Sequence, residues 1–168
     1  AFVASDVAVW VLYHPRQLAE APLPGPTTGS LIGPTNQLEH FRLGLLVAVD
    51  TGSDGEFAIR FTGGELTPAE RAHAGPSCDF GLVVTEGRLF LWGGFTDGLD
   101  DADLGTNPDS WIDIPNGTWR ARVTCLSHYE RAGDDWPGYV VQLTPSETLI
   151  EPPARRPRLE YYGDVDES

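Results

Sequence analysis

The sequence contains no lysine and no methionine, and only two of its 168 residues are cysteine. All eleven basic residues are therefore arginine, and 25 acidic residues outweigh them to give a formal net charge of −14. A protein that binds a nucleic-acid backbone or an anionic membrane needs a concentrated positive surface. The composition therefore argues against both of these partners. Three explanations of the negative charge remain: it binds a basic protein, it binds a metal cation, or it only keeps the protein soluble.

Long apolar runs are also missing, and the longest apolar stretch is far shorter than a membrane span. The first fourteen residues, AFVASDVAVWVLYH, lack the basic leader of a secretory signal. We therefore expect a cytoplasmic protein, although a processed exported form would have the same features. The length suits one domain, which we place at residues 1–145. Residues 146–168 are rich in proline and acidic at the end, so we expect an extended tail whose composition also fits disorder.

Catalytic and metal-binding signatures are scarce. The four histidines show no HxH or HExxH spacing, and no GxSxG elbow or phosphate loop is present. We therefore expect a protein that is not an enzyme, with no catalytic residue. Cys78 and Cys125 cannot form a CxxC zinc clamp, but they could form one disulfide or remain buried thiols. Alternation along residues 118–126 places Cys125 on the apolar face, which favours a buried thiol over a disulfide.

Short β-type segments separated by glycine and proline dominate the chain. We predict single strands at 6–14, 40–50, 56–63 and 138–145 and two strands each within 79–95 and 111–130, those of 111–130 joined by a Pro–Asn–Gly turn. Hairpins are expected over 40–63 and 79–95, and a long irregular connection over 15–37. The best helix lies at 66–74, where Thr67, Pro68 and Glu70 form a capping-box pattern. The expected fold is mainly β: an antiparallel β-sandwich of about seven or eight strands with one short helix.

The stretch FTDGLDDADLGTNPDSW, residues 95–111, contains five aspartates and no basic residue. Trp111 ends it, and a second acidic stretch, GDDW, ends at Trp136. An exposed aromatic ring beside acidic residues is typical of a binding site for a basic protein. The alternative is that both rings fold back over the sandwich, whereas Trp10 and Trp92 lie in apolar strands and are expected in the core. The candidate partner-binding residues are Asp97, Asp100, Asp101, Asp103, Asp109, Trp111, Asp134, Asp135 and Trp136.

The acidic residues could instead bind calcium, because closely spaced carboxylates are suitable ligands for this ion. One candidate group is Asp97, Asp100, Asp101 and Asp103, and another is Asp50, Asp54 and Glu56. Neither group matches the EF-hand spacing. A solvated loop without any ion remains the simpler explanation, and we expect no cofactor.

The order of several motifs resembles the competence protein J family of small bacterial nuclease inhibitors. These motifs are a strand ending in Tyr13–His14, a long loop, FAIRF, VTEGRLFLW, IDIPNGTWRARVTC and a last GYVVQL strand. The similarity spans residues 6–144, although Asn116–Gly117–Thr118–Trp119 stands where the family has a Gly-x-Tyr pattern. The resemblance implies a class of activity, inhibition of a nuclease, and no individual functional residue.

These observations lead to one hypothesis and one alternative. The hypothesis is a non-enzymatic acidic protein that inhibits or neutralises a basic protein partner, such as a nuclease or toxin, with an immunity-like role. The alternative is a calcium-dependent or carbohydrate-binding β-sandwich.

Overall fold

The computed structural model describes residues 1–5, 8–21, 34–93, 110–127 and 136–160. These residues form nine strands and three short helices. In chain order, the elements are β1 (Phe2–Ser5), β2 (Val9–Tyr13), α1 (Pro15–Ala19), α2 (Pro34–Arg42), β3 (Leu46–Asp50), β4 (Gly55–Thr62), α3 (Pro68–Ala72), β5 (Ala74–Val84), β6 (Arg88–Gly93), β7 (Trp111–Asp113), β8 (Gly117–Leu126) and β9 (Tyr139–Pro145).

The strands form two sheets. The five-stranded sheet has the order β1-β4-β9-β8-β5, and the four-stranded sheet has the order β3-β2-β6-β7. Neighbouring strands are antiparallel except β4 and β9, which pair in parallel from Ile59 opposite Tyr139. The predicted mainly β, antiparallel fold is confirmed.

The predicted hairpins are wrong. β3 pairs with β2 while β4 pairs with β1 and β9. Likewise, β5 pairs with β8 while β6 pairs with β2 and β7. The two strands of each predicted hairpin therefore belong to different sheets. The turn at Glu86–Gly87 is present, with Gly87 at φ +72, but it connects one sheet to the other.

The helices also correct the sequence reading. α1 and part of α2 lie within residues 15–37, where we expected an irregular connection. α2 continues to Arg42, so the strand expected from residue 40 begins at Leu46. α3 confirms the capping box, because the Thr67 side chain accepts from the Glu70 backbone N–H and the Glu70 carboxylate accepts from the Thr67 N–H.

One hydrophobic core fills the space between the sheets. Trp10 of the four-stranded sheet meets Tyr139 of the five-stranded sheet edge to face, with ring centroids 5.6 Å apart, and both residues are fully buried. Every residue of β2 is buried, so both faces of this strand are covered. Cys125 is buried on the inner face, as its apolar-side position predicted, and both cysteines are free thiols.

The two ends of the sandwich are named here by one residue each. The Tyr139 end contains Tyr139 and Leu126 in the five-stranded sheet, where the Leu126 N–H donates to the Gly138 carbonyl. In the four-stranded sheet it contains Val9, Asp50 and Gly93, because Val9 pairs with Asp50 and the next residue, Trp10, pairs with Gly93. The opposite, Tyr13 end contains Tyr13, Leu46 and Phe90 in one sheet and Gly117 and Pro145 in the other.

Residues 146–160 follow the last strand and lie against the sandwich. Pro157 and Leu159 exchange backbone hydrogen bonds with Asp50 at 3.0 and 2.8 Å, and the Leu159 side chain is buried. The domain boundary at residue 145 stays a prediction, but this part of the expected tail contributes a core residue. Within the described residues, no helix is long and apolar enough to cross a membrane.

Candidate functional site

Three acidic stretches of sequence, residues 94–109, 128–135 and 161–168, contain eleven of the 25 acidic residues and one of the eleven arginines. Their structure lies outside the described residues, but the residues that flank them are described. Residues 94–109 connect Gly93 to Ser110, residues 128–135 connect Ser127 to Trp136, and residue 161 follows Glu160. These three stretches therefore carry most of the net negative charge of the chain, and each begins directly after a described residue.

Gly93, Ser127 and Glu160, which precede the three stretches, lie together at the Tyr139 end. Ser110, which follows residues 94–109, lies next to Trp111, and Trp111 pairs with Phe90 towards the Tyr13 end. The Cys125 thiol donates to the Glu160 carbonyl at 3.1 Å, and the Tyr139 hydroxyl donates to the Leu159 carbonyl at 2.7 Å. On the neighbouring sheet, Gly93 approaches β1 so closely that a Cβ atom there would lie 1.7 Å from the Ala4 carbonyl oxygen. Only glycine fits this contact, which places Gly93, the residue before the first acidic stretch, beside β1.

Trp136 has a fixed position at the base of the second acidic stretch. Its indole Nε1 donates to the Ser127 carbonyl at 3.0 Å, and its ring meets His73 edge to face at 5.7 Å. His73 Nδ1 lies 3.2 Å from the Ser127 hydroxyl, and the Ser127 backbone N–H donates to the His73 carbonyl. The ring is half-buried, so part of it remains accessible beside residues 128–135.

Trp111 begins the edge strand β7 and packs on the four-stranded sheet. Its ring centroid lies 5.1 Å from that of Phe90 and 5.6 Å from that of His14. The Arg88 guanidinium lies over the indole, 4.1 Å from the centroid, which is a cation–π geometry. Trp111 is also half-buried. Trp111 and Trp136 are therefore each packed against the sandwich on one side and accessible to solvent on the other.

The predicted site residues are only partly described. Trp111 and Trp136 are placed as above, in association with different sheets. The acidic members of the set lie outside the described residues: Asp97, Asp100, Asp101, Asp103, Asp109, Asp134 and Asp135. Trp10 is in the core as expected, whereas Trp92 is half-buried and stacks on Phe90 at 5.8 Å.

The outer face of the five-stranded sheet carries an ion-pair cluster that the site prediction did not include. Asp79 accepts from Arg122 Nε at 2.9 Å and Nη2 at 3.1 Å, and from Arg120 Nη2 at 2.5 Å. Burial alone would raise the pKa of Asp79, but the hydrogen bonds and charges of both arginines lower it overall. Alternation along β8 does place Arg120 and Arg122 on one face, but their partner on β5 depends on a long-range register.

Metal-binding side chains do not gather in the part of the chain that the structure describes: no group of three His, Cys, Asp or Glu residues could hold an ion there. In the second calcium candidate, the Asp50 carboxylate instead accepts from the Gly52 backbone N–H at 2.9 Å and faces Arg156 at 3.9 Å. The first candidate, residues 97–103, lies outside the described residues.

The comparisons with known proteins support the fold. No protein-family model and no curated protein matches the sequence. A solved structure described as crocagin biosynthetic gene J is similar at a TM-score of 0.55 and 15% identity, over 88% of this chain and 96% of that one. ComJ from Bacillus subtilis, described as an inhibitor of the DNA-degrading activity of NucA, is similar at a TM-score of 0.51 and 9% identity, over 87% of this chain and 94% of that one. The resemblance to the competence protein J family is therefore confirmed at the level of the fold.

Proposed function

We propose that this chain is a non-enzymatic acidic binding protein that inhibits or neutralises a basic protein, such as a nuclease or toxin. The observation that carries this proposal is that the residues preceding the three acidic stretches, Gly93, Ser127 and Glu160, lie together at the Tyr139 end. Acidic stretches that begin at one end of the sandwich are what a binding site for a basic partner needs, whereas charge that serves only solubility requires no such grouping.

Electrostatic attraction supplies the first part of the binding. Complementary charge accelerates association by about ten- to a thousandfold, and salt weakens this effect. The acidic residues of 94–109 and 128–135 have this role: Asp97, Asp100, Asp101, Asp103, Asp109, Asp134 and Asp135. No cofactor is required.

Aromatic area supplies the second part. Trp136 lies at the start of the segment that leads into β9, and its hydrogen bond to Ser127 fixes the ring before a partner arrives. A ring that is already oriented loses little conformational entropy on binding, and tryptophan is enriched among the residues that dominate interface energies. Trp111, with Arg88 over its ring, offers a second surface of the same kind.

The fold similarity to ComJ supports a nuclease as the partner. The similarity covers most of both chains, so the two proteins share an architecture rather than a short motif. The identity of 9% is too low to transfer any residue of an interface. We therefore take the partner class from the comparison and the binding residues from this chain.

A pull-down from a lysate of the source organism, at low and at high salt, tests the proposal. One basic protein should be retained at low salt and weakened at high salt. If it degrades DNA, adding this chain in increasing amounts should stop the degradation. A captured basic protein without nuclease activity would refute the proposal that the partner is a nuclease, but not the proposal that this chain binds a basic protein. No specific partner at either salt concentration would refute both.

The alternative proposal is a calcium-dependent or carbohydrate-binding sandwich. It depends on residues 97–103 holding an ion, and no contact among the described residues favours it over the protein-binding role. It becomes the leading proposal only if no protein partner is captured.

A further inference from the structure

His73 contacts both residues that flank the second acidic stretch, Ser127 and Trp136. It is the C-cap residue of α3, a helix that lies on the five-stranded sheet. Glu70 of the same helix is buried, and its carboxylate accepts two hydrogen bonds from Arg60 of β4. The helix that carries His73 is therefore anchored, and His73 offers a fixed support for the residues around it.

Ser127 links His73 to Trp136 with all three of its polar atoms. Its backbone N–H and its hydroxyl donate to the His73 carbonyl at 2.9 and 3.3 Å, and the hydroxyl also lies 3.2 Å from His73 Nδ1. The Ser127 carbonyl accepts from the Trp136 indole Nε1–H at 3.0 Å. The His73 ring itself meets the indole edge to face, a favourable geometry for two aromatic rings. His73 and Ser127 therefore hold the indole through two separate contacts.

The backbone beside Trp136 is restricted as well. Pro137 limits the conformation of the residue before it, which is Trp136. The Gly138 N–H donates to the Ala58 carbonyl, and the Gly138 carbonyl accepts from the Leu126 N–H, both at 2.9 Å. Because the backbone and the side chain are both held, the half-buried indole is oriented before a partner arrives. A ring that is oriented in advance has less conformational entropy to lose on binding.

We propose that His73 and Ser127 are positioning residues for partner binding and that they act through Trp136. This role rests on the proposed function, and it concerns a different step of binding from the acidic residues. Charge sets the association rate and its dependence on salt, whereas a short-range contact such as the indole mainly sets the dissociation rate. Loss of the His73 side chain should therefore speed dissociation and leave the salt dependence of association unchanged.

The first test needs only the free chain, labelled with nitrogen-15, and follows the Trp136 indole N–H signal, assigned with Trp136→Phe. We expect this hydrogen to exchange with water faster in His73→Ala and in Ser127→Ala, which keeps the carbonyl acceptor and loses only the hydroxyl. The matched control is Ser146→Ala, which removes a hydroxyl bonded to the Thr148 carbonyl after the Tyr13 end of β9 and should leave the signal unchanged. Equal exchange in His73→Ala and the unmodified chain would overturn the positioning role.

The second test measures binding of the captured basic partner. His73→Ala should raise the Kd by about three- to tenfold, the cost of ordering one side chain on binding. Added to Trp136→Ala, it should have no further effect, because His73 acts through the indole.

Two outcomes separate this role from the proposed function. An effect of His73→Ala that persists in the Trp136→Ala background, or no effect in either background, would overturn the positioning role while a captured partner still supports the proposed function. Failure to capture any basic partner would refute the proposed function, and the positioning role with it. Ser127→Ala should weaken binding as His73→Ala does, and it supplies the same test if His73→Ala lowers the melting temperature.

Discussion

Arg60 and Glu70 form a two-bond ion pair between β4 and α3, with Nε–Oε1 and Nη2–Oε2 distances of 2.5 Å each. The Glu70 side chain is only 4% exposed. Burial by itself would raise the pKa of Glu70, but hydrogen bonds from Arg60 and Thr67 outweigh burial and hold this pKa below its ordinary value. The pair joins the capping box of α3 to the outer face of the five-stranded sheet.

Glu70→Gln should lower the free energy of unfolding by about 2 kcal/mol at neutral pH, the scale of a hydrogen bond to a charged group. Because the folded-state pKa is depressed, the stabilisation is present above the unfolded pKa, about 4.3, and is lost as the pH falls through the folded value. Denaturant unfolding at several pH values should show the difference closing in acid. Glu65→Gln, at an exposed ion pair with Arg71, should change stability much less. A pH-independent difference for Glu70→Gln would contradict the ionic origin.

Leu159→Ala should lower the unfolding free energy by about 2–4 kcal/mol, because it removes a buried side chain from the core. Denaturant unfolding measures this loss. Leu43→Ala is the control: Leu43 is 37% exposed, and its removal should cost about 0.5 kcal/mol or less. Equal effects of the two changes would mean that residues 157–160 do not pack against the sandwich in solution.

The two thiols should react with iodoacetamide at different rates. Burial raises the pKa of Cys125 to about 11, and burial together with the neighbouring Asp79 carboxylate raises the pKa of Cys78. Since the thiolate is the reactive form and Cys125 is the more deeply buried, Cys78 should be modified first and Cys125 only on unfolding. Mass spectrometry counts the adducts, and Cys78→Ser should remove the first phase. Two thiols that stay unmodified in denaturant without reductant would instead indicate a disulfide.

Calcium should leave the melting temperature unchanged relative to a chelator, because the proposed function uses no ion. A ligand that binds only the folded state would raise it. Thermal unfolding in calcium and in chelator measures this directly. A clear rise with calcium would favour the carbohydrate-binding or calcium-dependent alternative, and Asp100→Asn with Asp101→Asn should then abolish the rise.

The sequence predicted most strands because their alternation is local. The apolar positions Trp119, Ala121 and Val123 share a face whatever the strand pairs with, and the Thr67–Glu70 capping box needs only four consecutive residues. The hairpins failed because a tight turn such as Glu86–Gly87 does not show whether the next strand stays in the same sheet.

The tail and the site were harder to predict for a related reason. Leu159 is a single apolar residue among prolines and arginines, and only its backbone bonds to Asp50 reveal that it packs in the core. In the same way, the sequence showed that acidic residues cluster in several stretches. It did not show that Gly93, Ser127 and Glu160, which precede these stretches, belong to one end of the sandwich.

The most direct test of the account is the association rate of the captured basic partner with two charge-reversed variants at low salt. Asp100→Arg with Asp101→Arg changes the acidic stretch that follows Gly93. Glu20→Arg with Glu39→Arg changes the net charge equally at α1 and α2, which adjoin the Tyr13 end. We predict that the first pair slows association by about tenfold or more and that the second pair has a much smaller effect. Equal slowing of association by both double variants, or no slowing by the first, would contradict binding of the partner at the Tyr139 end.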